Sequence, residues 1–296
     1  MVNHSISSRD YDSFRTFLEE ACGIVLGDNK HYLVASRLNR LLKELELVSV
    51  GELIEAMQKQ PRSGIRERII DAMTTNETFW FRDNHPYALL KELVIPEIAK
   101  KRQNQLRIWS AACSSGQEPY SISMIIQEYM QSRPGSLVNN VDIVGTDISP
   151  TMLAQCRSAK YDALALSRGL SPERKQRFFN KIDDLWEVKE EVRKRVRFTE
   201  INLMNNYTSM GKFDVIFCRN VLIYFAADLK KDILRRISQA LVPGGYLFLG
   251  STETLASYSD DFETVRHEGG IVYQLKARTE QAVTRPSWAP SALPKI

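Results

Sequence analysis

The chain has 296 residues, of which 43% are hydrophobic, so it can bury a substantial core in one large domain or two modest ones. The 40 basic and 36 acidic residues leave a formal net charge of +4, which is too small to indicate a nucleic-acid-binding protein. The polar N-terminus and the lack of any apolar run near the ~20 residues of a membrane span argue against export and against membrane insertion.

The first part of the chain, residues 8–72, has helical periodicity throughout. Within it, Ser49 followed by Glu52 is typical of a capped helix start, and Pro61 should end that helix at Gln60. Residues 1–75 are therefore predicted to form an all-helical domain, with a linker and a helix over residues 76–105.

From about Leu106 the pattern changes to apolar runs that alternate with amphipathic helices, which is typical of a parallel sheet with crossover helices. Helices are predicted near Gln117, after Ser149-Pro150 and after Asp228. The segments FETVRH and IVYQLK, separated by Glu268-Gly269-Gly270, predict an antiparallel hairpin. The predicted strands of the sheet are LRIWSAA, VDIVGTD, VRFTEIN, FDVIFCRN and GYLFLGS.

The interval 161–195 separates two of these strands, is dense in charge and contains a helix start at Ser171-Pro172. We interpret it as a subdomain inserted into an α/β domain that spans residues 106–276. The remaining residues, 277–296, contain three prolines and no periodicity, and we expect a disordered tail.

The turn after the first strand, ACSSGQEPYS, has the position of a nucleotide-binding strand-to-helix turn. A dinucleotide site needs G-x-G-x-x-G, but only Gly116 is present, and Glu118 in the first helical turn would repel a phosphate. The same carboxylate would attract the amino group of S-adenosylmethionine (SAM). Asp147, at the end of the next strand, is placed to accept hydrogen bonds from ribose hydroxyls. An alternative is that both acids only cap their helices.

Four motifs give the chain a more specific resemblance. They are TTNETFWFR at residues 74–82, SSGQEPYS at residues 114–121, GTDI at residues 145–148 and FCRNVLIYF at residues 217–225. Together they resemble the CheR family of chemoreceptor glutamate O-methyltransferases, and the likeness extends to about Lys276.

The resemblance implies a helical domain, a SAM-dependent methyltransferase domain of Rossmann-like, doubly wound α/β fold with a small inserted β-subdomain, and methylation of receptor glutamates. This sequence differs from the family in the insert. The segment 179–188 is short and contains no glycine, whereas members that dock a receptor's C-terminal peptide have a longer, glycine-bearing loop there. The cofactor contacts it implies are Asn76, Thr78, Arg82, Glu118, Asp147, Asn202, Leu203, Arg219 and Asn220.

The implied reaction needs no general base, because a glutamate side chain with a reference pKa of ~4.3 is already an anionic nucleophile at neutral pH. The protein then has to hold a carboxylate oxygen in line with the methyl group. We expect Arg82 to fix a carboxylate through its planar guanidinium and Tyr224 to orient the other side of the pocket. Without the resemblance, the simpler interpretation would be a surface ion pair for Arg82 and a core aromatic residue for Tyr224.

Two other functions remain open at this stage. Nucleic-acid methylation is one, but no cysteine follows a proline and no Pro-Pro pair is present, as carbon or amine methylation of bases would require. The other is a SAM-binding adaptor that docks receptors without transferring a methyl group. No histidine or cysteine spacing suggests a metal site, and Cys22, Cys113, Cys156 and Cys218 are expected to be reduced, buried thiols.

The expected partner is a methyl-accepting chemoreceptor, with the chain cytoplasmic and recruited to the membrane-bound receptor. In the helix around residues 36–43, Arg37, Arg40 and Lys43 lie three apart, opposite a row of leucines. We expect the leucines to be buried and the cations to be exposed, where they and the insert could steer an acidic receptor helix. An ordinary solvated face is the alternative.

Overall fold

The structure is a computed structural model that describes residues 6–101, 105–137, 140–268 and 270–277. The tail predicted from residue 277 therefore lies almost wholly outside the described residues, as does Gly269 of the predicted hairpin turn. No helix in the described ranges is long and apolar enough to cross a membrane.

The N-terminal domain consists of α1 (Ser8–Cys22), α2 (His31–Glu44), α3 (Val50–Lys59) and α4 (Ile65–Met73). The predicted start of α3 is confirmed: the Ser49 hydroxyl accepts a hydrogen bond from the Glu52 amide at 3.1 Å. The Glu52 carboxylate accepts from the Val48 amide, one residue before the one expected for a full capping box. The apolar faces of the helices, including Phe14, Leu38 and Leu42, are fully buried in one core.

A helical connection leads to the second domain. It runs from α5 (His85–Leu89) through a π-helical turn (Leu90–Val94) into α6 (Ile95–Lys100). Trp80 and Phe81, just before it, are fully buried in the core of the α/β domain. This burial fixes the path of the motif at residues 74–82.

The α/β domain is built on a seven-stranded sheet of order β6-β2-β1-β7-β8-β10-β9. The first five strands in this order, β6, β2, β1, β7 and β8, are parallel to one another, whereas β10 is antiparallel to both of its neighbours. This arrangement confirms the predicted sheet and the predicted terminal hairpin. The chain order reverses at β1 and β7, so the carboxyl ends of these strands form the crevice where ligands bind in such folds. The strands are β1 (Leu106–Ala111), β2 (Val141–Asp147), β6 (Val196–Glu200), β7 (Phe213–Cys218), β8 (Leu241–Phe248), β9 (Phe262–His267) and β10 (Gly270–Leu275); the main helices are α7 (Gln117–Ser132), α8 (Pro150–Ser158) and α12 (Ala227–Ala240).

The insert forms a separate three-stranded antiparallel sheet of order β3-β5-β4, so a small β-subdomain is present as expected. Its hairpin turns through Asp183-Asp184, with Asp183 in the left-handed region at φ 51°. Arg174 anchors the insert to α7 through two hydrogen bonds of 2.8 and 3.1 Å to the Glu128 carboxylate. The elements are β3 (Lys160–Tyr161), α9 (Ala163–Ser167), α10 (Pro172–Phe178), β4 (Phe179–Ile182), β5 (Leu185–Val188) and α11 (Glu190–Arg193).

The helical domain contacts the α/β domain through polar bonds at several points. The Asp71 carboxylate of α4 accepts hydrogen bonds from the hydroxyls of Ser149 and Thr151 at the start of α8. The Val25 amide donates to the Tyr224 carbonyl at 3.0 Å. The helical domain therefore covers the carboxyl end of the sheet.

Candidate functional site

A cavity of about 270 Å³ lies between the helical domain and the carboxyl ends of β1, β2 and β7. Both domains contribute to its wall, since residues after α1 and α4 face residues that follow the strands. Every site residue predicted from the sequence lines this one cavity: Asn76, Thr78, Arg82, Glu118, Asp147, Asn202, Leu203, Arg219, Asn220 and Tyr224.

The turn from β1 into α7 owes its shape to several left-handed residues. Ala112, Ser114 and Gly116 have φ angles of 55°, 50° and 94°. A Cβ atom on Gly116 would lie 3.1 Å from both the Cys156 sulfur and the Tyr161 hydroxyl, so packing as well as backbone conformation favours glycine there. This explains why one glycine suffices in a turn that does not have to approach a pyrophosphate.

Asp147 closes the neighbouring strand and joins two loops of the cavity wall. One carboxylate oxygen accepts from the Ser114 amide at 2.8 Å and the other from the Ser149 amide at 2.9 Å. The side chain is buried, and this burial raises the pKa of the carboxyl above its usual value against the opposing effect of the amide bonds. The Ile148 amide also bonds to this carboxylate, which leaves about one acceptor site for a ligand hydroxyl.

Glu118 is part of a charge cluster in which a buried Arg219 lies between two partly buried carboxylates, those of Glu118 and Asp83. The Arg219 guanidinium donates to the Glu118 carboxylate at 3.0 Å and to the Asp83 carboxylate at 2.6 Å. Ser110 donates to the second oxygen of Glu118 at 2.8 Å. Two carboxylates and one guanidinium give the cluster a net charge of −1, so it still favours a cationic ligand group.

Arg219 is almost fully buried, with 1% of its side chain exposed. Burial opposes its charge, but the facing Glu118 carboxylate raises the pKa of the guanidinium above its usual value. Its Nε atom is buried without a hydrogen-bond partner among the described residues.

The pairing of Glu118 with Arg219 was missed by the sequence analysis, which assigned each residue to the cofactor separately. A signal was available, because both residues follow neighbouring parallel strands at the point where the strands end. Asp83 was also missed, although it immediately follows the motif at residues 74–82.

Arg82 lies at the cavity with its guanidinium 5.6 Å from the centre of the Phe79 ring. Its Nη1 atom donates to the Glu77 carbonyl at 2.9 Å. The Ser114 hydroxyl donates to the Asn76 carbonyl at 3.0 Å, which ties this segment to the turn after β1. The remaining guanidinium donors of Arg82 form no bond with another described residue.

The loops after β6 and β7 complete the wall. Asn202 uses both ends of its amide, accepting from the Met204 amide and donating to the Ala21 carbonyl, each at 2.9 Å. Asn220 has a left-handed backbone at φ 57°, and Tyr224 follows in a 3₁₀ turn. Asn202 thereby links the helical domain to the wall, which sequence spacing did not indicate.

The expected row of exposed cations on α2 is wrong for Arg37. Its guanidinium is half-buried and donates to the Met73 and Thr74 carbonyls and to the Thr75 hydroxyl, because α2 packs against the end of α4 at the cavity wall. Arg40 and Lys43 are exposed as expected, but Arg40 forms an ion pair of 2.7 Å with Glu44. Of the leucines expected to be buried on the opposite face, Leu38, Leu41 and Leu42 are buried, whereas Leu45, at the end of α2, is only partly buried.

Comparison with known proteins matches both domains. Residues 9–74 match the family described as "CheR methyltransferase, all-alpha domain", and residues 76–271 match "CheR methyltransferase, SAM binding domain". The chain is 55% identical over 274 residues to "Chemotaxis protein methyltransferase Cher2" of Pseudomonas putida, covering 92% of this chain and 100% of that protein. It is 53% identical over 274 residues to "Chemotaxis protein methyltransferase 1" of Pseudomonas aeruginosa, with the same coverage. A solved TehB-like SAM-dependent methyltransferase from Corynebacterium glutamicum aligns with a TM-score of 0.36 at 14% identity, over 67% of this chain and 95% of that one.

Proposed function

Since the chain belongs to the CheR methyltransferase family and is a SAM-dependent methyltransferase of chemotaxis, we propose that it methylates the side-chain carboxylates of specific glutamates on chemoreceptors. The observation that carries the proposal is the composition of the cavity wall. It offers acids and a guanidinium for a zwitterionic cofactor, and none of the described histidines lines it.

The residues present fit SAM. The cluster of Glu118, Asp83 and Arg219 has a net negative charge that suits the cofactor's ammonium group, and the Asp147 carboxylate can still accept a hydrogen bond from a ribose hydroxyl. Arg82 has unused donors for a carboxylate. Asn76, Thr78, Asn202, Leu203 and Asn220 would form the rest of the cofactor pocket.

The chemistry assigned to the chain's own residues is positioning. When bound, the cofactor supplies a methyl group attached to a sulfonium sulfur, and this sulfur is a good leaving group without further activation. The substrate carboxylate is ionised at neutral pH, so no residue has to remove a proton. We assign Arg82 and Tyr224 the task of orienting the reacting carboxylate, because both line the cavity on segments that are bonded to other parts of its wall. The Ser114 hydroxyl donates to the Asn76 carbonyl, and the Val25 amide donates to the Tyr224 carbonyl.

The receptor is proposed to dock on the exposed part of α2, at Arg40 and Lys43, together with the inserted subdomain. A receptor helix with several glutamates would place one glutamate in the cavity and leave others near these cations. The exposed cations would then attract the remaining glutamates and steer the helix toward the cavity. Arg37 contributes to the cavity wall in this proposal and does not face the receptor.

The proposal is tested by incubating the protein with tritiated SAM and membranes from a chemotactic bacterium. Base-labile methyl label on a receptor-sized band is expected, because glutamate methyl esters hydrolyse in base. Receptors with the methylated glutamates replaced by alanine serve as the control. Label that resists base, label on nucleic acid, or SAM binding without any transfer would contradict it.

A further inference from the structure

Glu253 has the most heavily hydrogen-bonded carboxylate in the neighbourhood of the cavity, although it does not line the cavity. One oxygen accepts from the amides of Val221 and Leu222 at 3.0 and 2.8 Å. The other accepts from the amides of Asn220 and Gly250 at 2.7 and 2.8 Å. One side chain thus satisfies consecutive backbone donors of the loop that follows β7.

The geometry of that loop favours an anionic acceptor. Asn220 has a left-handed backbone at φ 57°, so the amides of Asn220, Val221 and Leu222 converge on one point instead of pointing along a strand or helix. Converging amides of this kind form a partly positive concavity that attracts an anion. Bonds from amides to an ionised acceptor are also stronger than bonds to a neutral one.

Gly250 allows the carboxylate to come this close. A Cβ atom at Gly250 would lie 2.6 Å from the Asn220 side-chain nitrogen and 2.8 Å from the Glu253 carboxylate. The Glu253 amide in turn donates to the Gly250 carbonyl at 2.9 Å, which closes a turn after β8. The sequence GSTE therefore places the acid on a short, rigid support.

The loop that Glu253 holds carries Arg219, Asn220 and Tyr224 into the cavity wall. We propose that Glu253 is a positioning residue for methyl transfer, whose charge holds the loop after β7 in the conformation that binds the cofactor. It acts through the loop and does not touch the reacting atoms. The proposal rests on the proposed function only where transfer to a receptor is measured.

The first test replaces the acid by its neutral isostere, Glu253→Gln. The amide has one acceptor oxygen and presents an NH₂ group to the converging amides, so it cannot replace the carboxylate. Calorimetry with S-adenosylhomocysteine should show affinity at least tenfold weaker than in the parent. In methyl-transfer assays, kcat should decrease by a larger factor than the KM for receptor changes. Glu263→Gln, which removes the same charge from an exposed position on β9, is the matched control and should stay within twofold of the parent.

The second test is chemical rescue. In Glu253→Ala the vacated concavity should accept a small carboxylate, so formate should restore part of the cofactor affinity, whereas equal concentrations of chloride should restore less. Formate should have no such effect on the parent. Rescue that is no better with formate than with chloride, or a Glu253→Gln protein that binds S-adenosylhomocysteine as tightly as the parent, would overturn the proposal.

A third measurement needs no variant and therefore does not depend on variant folding. In the parent protein the amides of Asn220, Val221 and Leu222 should exchange their hydrogens slowly, because each is bonded to Glu253, although the adjacent Ile223 side chain is 50% exposed. Exchange at the rate of a free peptide would also refute the proposal. Since neither binding nor exchange requires a receptor, a failure of receptor methylation alone would count against the proposed function and not against Glu253.

Discussion

Arg219 shows at the scale of one residue how much depends on a buried charge. It is the cation between Glu118 and Asp83, so its removal leaves two partly buried carboxylates facing each other. Arg219→Ala should therefore lower the free energy of unfolding by about 3 kcal/mol. Chemical denaturation checks this value, and Arg235→Ala, whose side chain is 57% exposed, should change it little.

Asp147 gives the site a dependence on pH. Because burial raises the pKa of its carboxyl, the native state binds this proton more tightly than the unfolded chain does. The ionised carboxyl therefore costs the native state stability at neutral pH, and that cost is relieved as the pH falls through the raised native pKa. The same protonation removes an acceptor for ribose.

Affinity for S-adenosylhomocysteine should accordingly fall as the pH is lowered, and the fall should begin at a higher pH than for an aspartate of ordinary pKa. Asp147→Asn should bind about tenfold more weakly at pH 8, from the loss of charge-assisted hydrogen bonds, and should show a flatter pH profile. Calorimetry at a series of pH values measures both. A parent protein whose affinity starts to fall only where an aspartate of ordinary pKa would titrate would contradict this assignment.

Tyr224 tests orientation separately from binding. Its hydroxyl is the feature we assign to the reacting carboxylate, while its backbone carbonyl holds Val25. Tyr224→Phe keeps that backbone bond, so it should reduce the methyl-transfer rate about tenfold and leave the melting temperature near that of the parent. Transfer within a factor of two of the parent would remove the residue from the proposed mechanism.

At the scale of elements, one side chain of α10 ties the inserted subdomain to α7, to which α11 is also hydrogen-bonded through Ser123 and Val192. Arg174 bonds twice to Glu128 of α7 and lies with its guanidinium 3.8 Å from the centre of the Phe81 ring, so one residue joins three segments. Burial alone would raise the pKa of Glu128, but the hydrogen bonds and charges of Arg174 and Lys91 hold it below its usual value. This stabilisation is present above the unfolded pKa of a glutamate and is lost as the pH falls through the lowered native pKa.

Arg174→Ala should cost about 1.5–3 kcal/mol of stability and increase proteolysis within the insert before the rest of the domain. Limited proteolysis with mass spectrometry checks the location of cleavage. Arg177→Ala, on the same helix, serves as the control. Equal cleavage of parent and Arg174→Ala in the insert would show that the anchor lies elsewhere.

The elements were largely predictable from the sequence, because period and capping are local. β2 lies at Val141–Asp147 as the apolar run VDIVGTD indicated, and Ser149 caps α8 as the Ser-Pro pair indicated. The site residues were found through motifs of the family. The partners of these residues were not predictable, since Arg219 meets Glu118 and Arg37 meets Met73 only after distant elements pack.

At the scale of the whole molecule, the cavity is shared between the two domains, and Asp71 joins them at its edge through Ser149 and Thr151. A ligand in the cavity should therefore stabilise both domains together. At a concentration 100 times its Kd, S-adenosylhomocysteine should add about 2.7 kcal/mol to the free energy of unfolding.

Asp71→Asn weakens the link between the domains without changing the cavity wall, since Asp71 does not line it. We expect this variant to unfold less cooperatively than the parent, with the helical domain melting first and the ligand restoring a single transition. Calorimetric melts with and without S-adenosylhomocysteine decide this. A single transition with an unchanged midpoint in the absence of ligand would show that other contacts carry the coupling.

The four free cysteines are all buried, one in the helical domain and three around the sheet. Burial raises the pKa of Cys22 to about 11 and that of Cys218 well above the usual value. The hydrogen bond with Cys156, together with burial, raises the pKa of Cys113, so all three thiols react slowly while the fold stays closed. The rate at which each thiol is modified therefore reports how often the fold opens around it. Cys22 and Cys113 line the cavity from opposite domains, whereas Cys218 lies at the end of a central strand. A thiol reagent should therefore modify Cys22 and Cys113 when the helical domain separates from the sheet, and Cys218 only when the sheet unfolds. The order of modification would distinguish these two events.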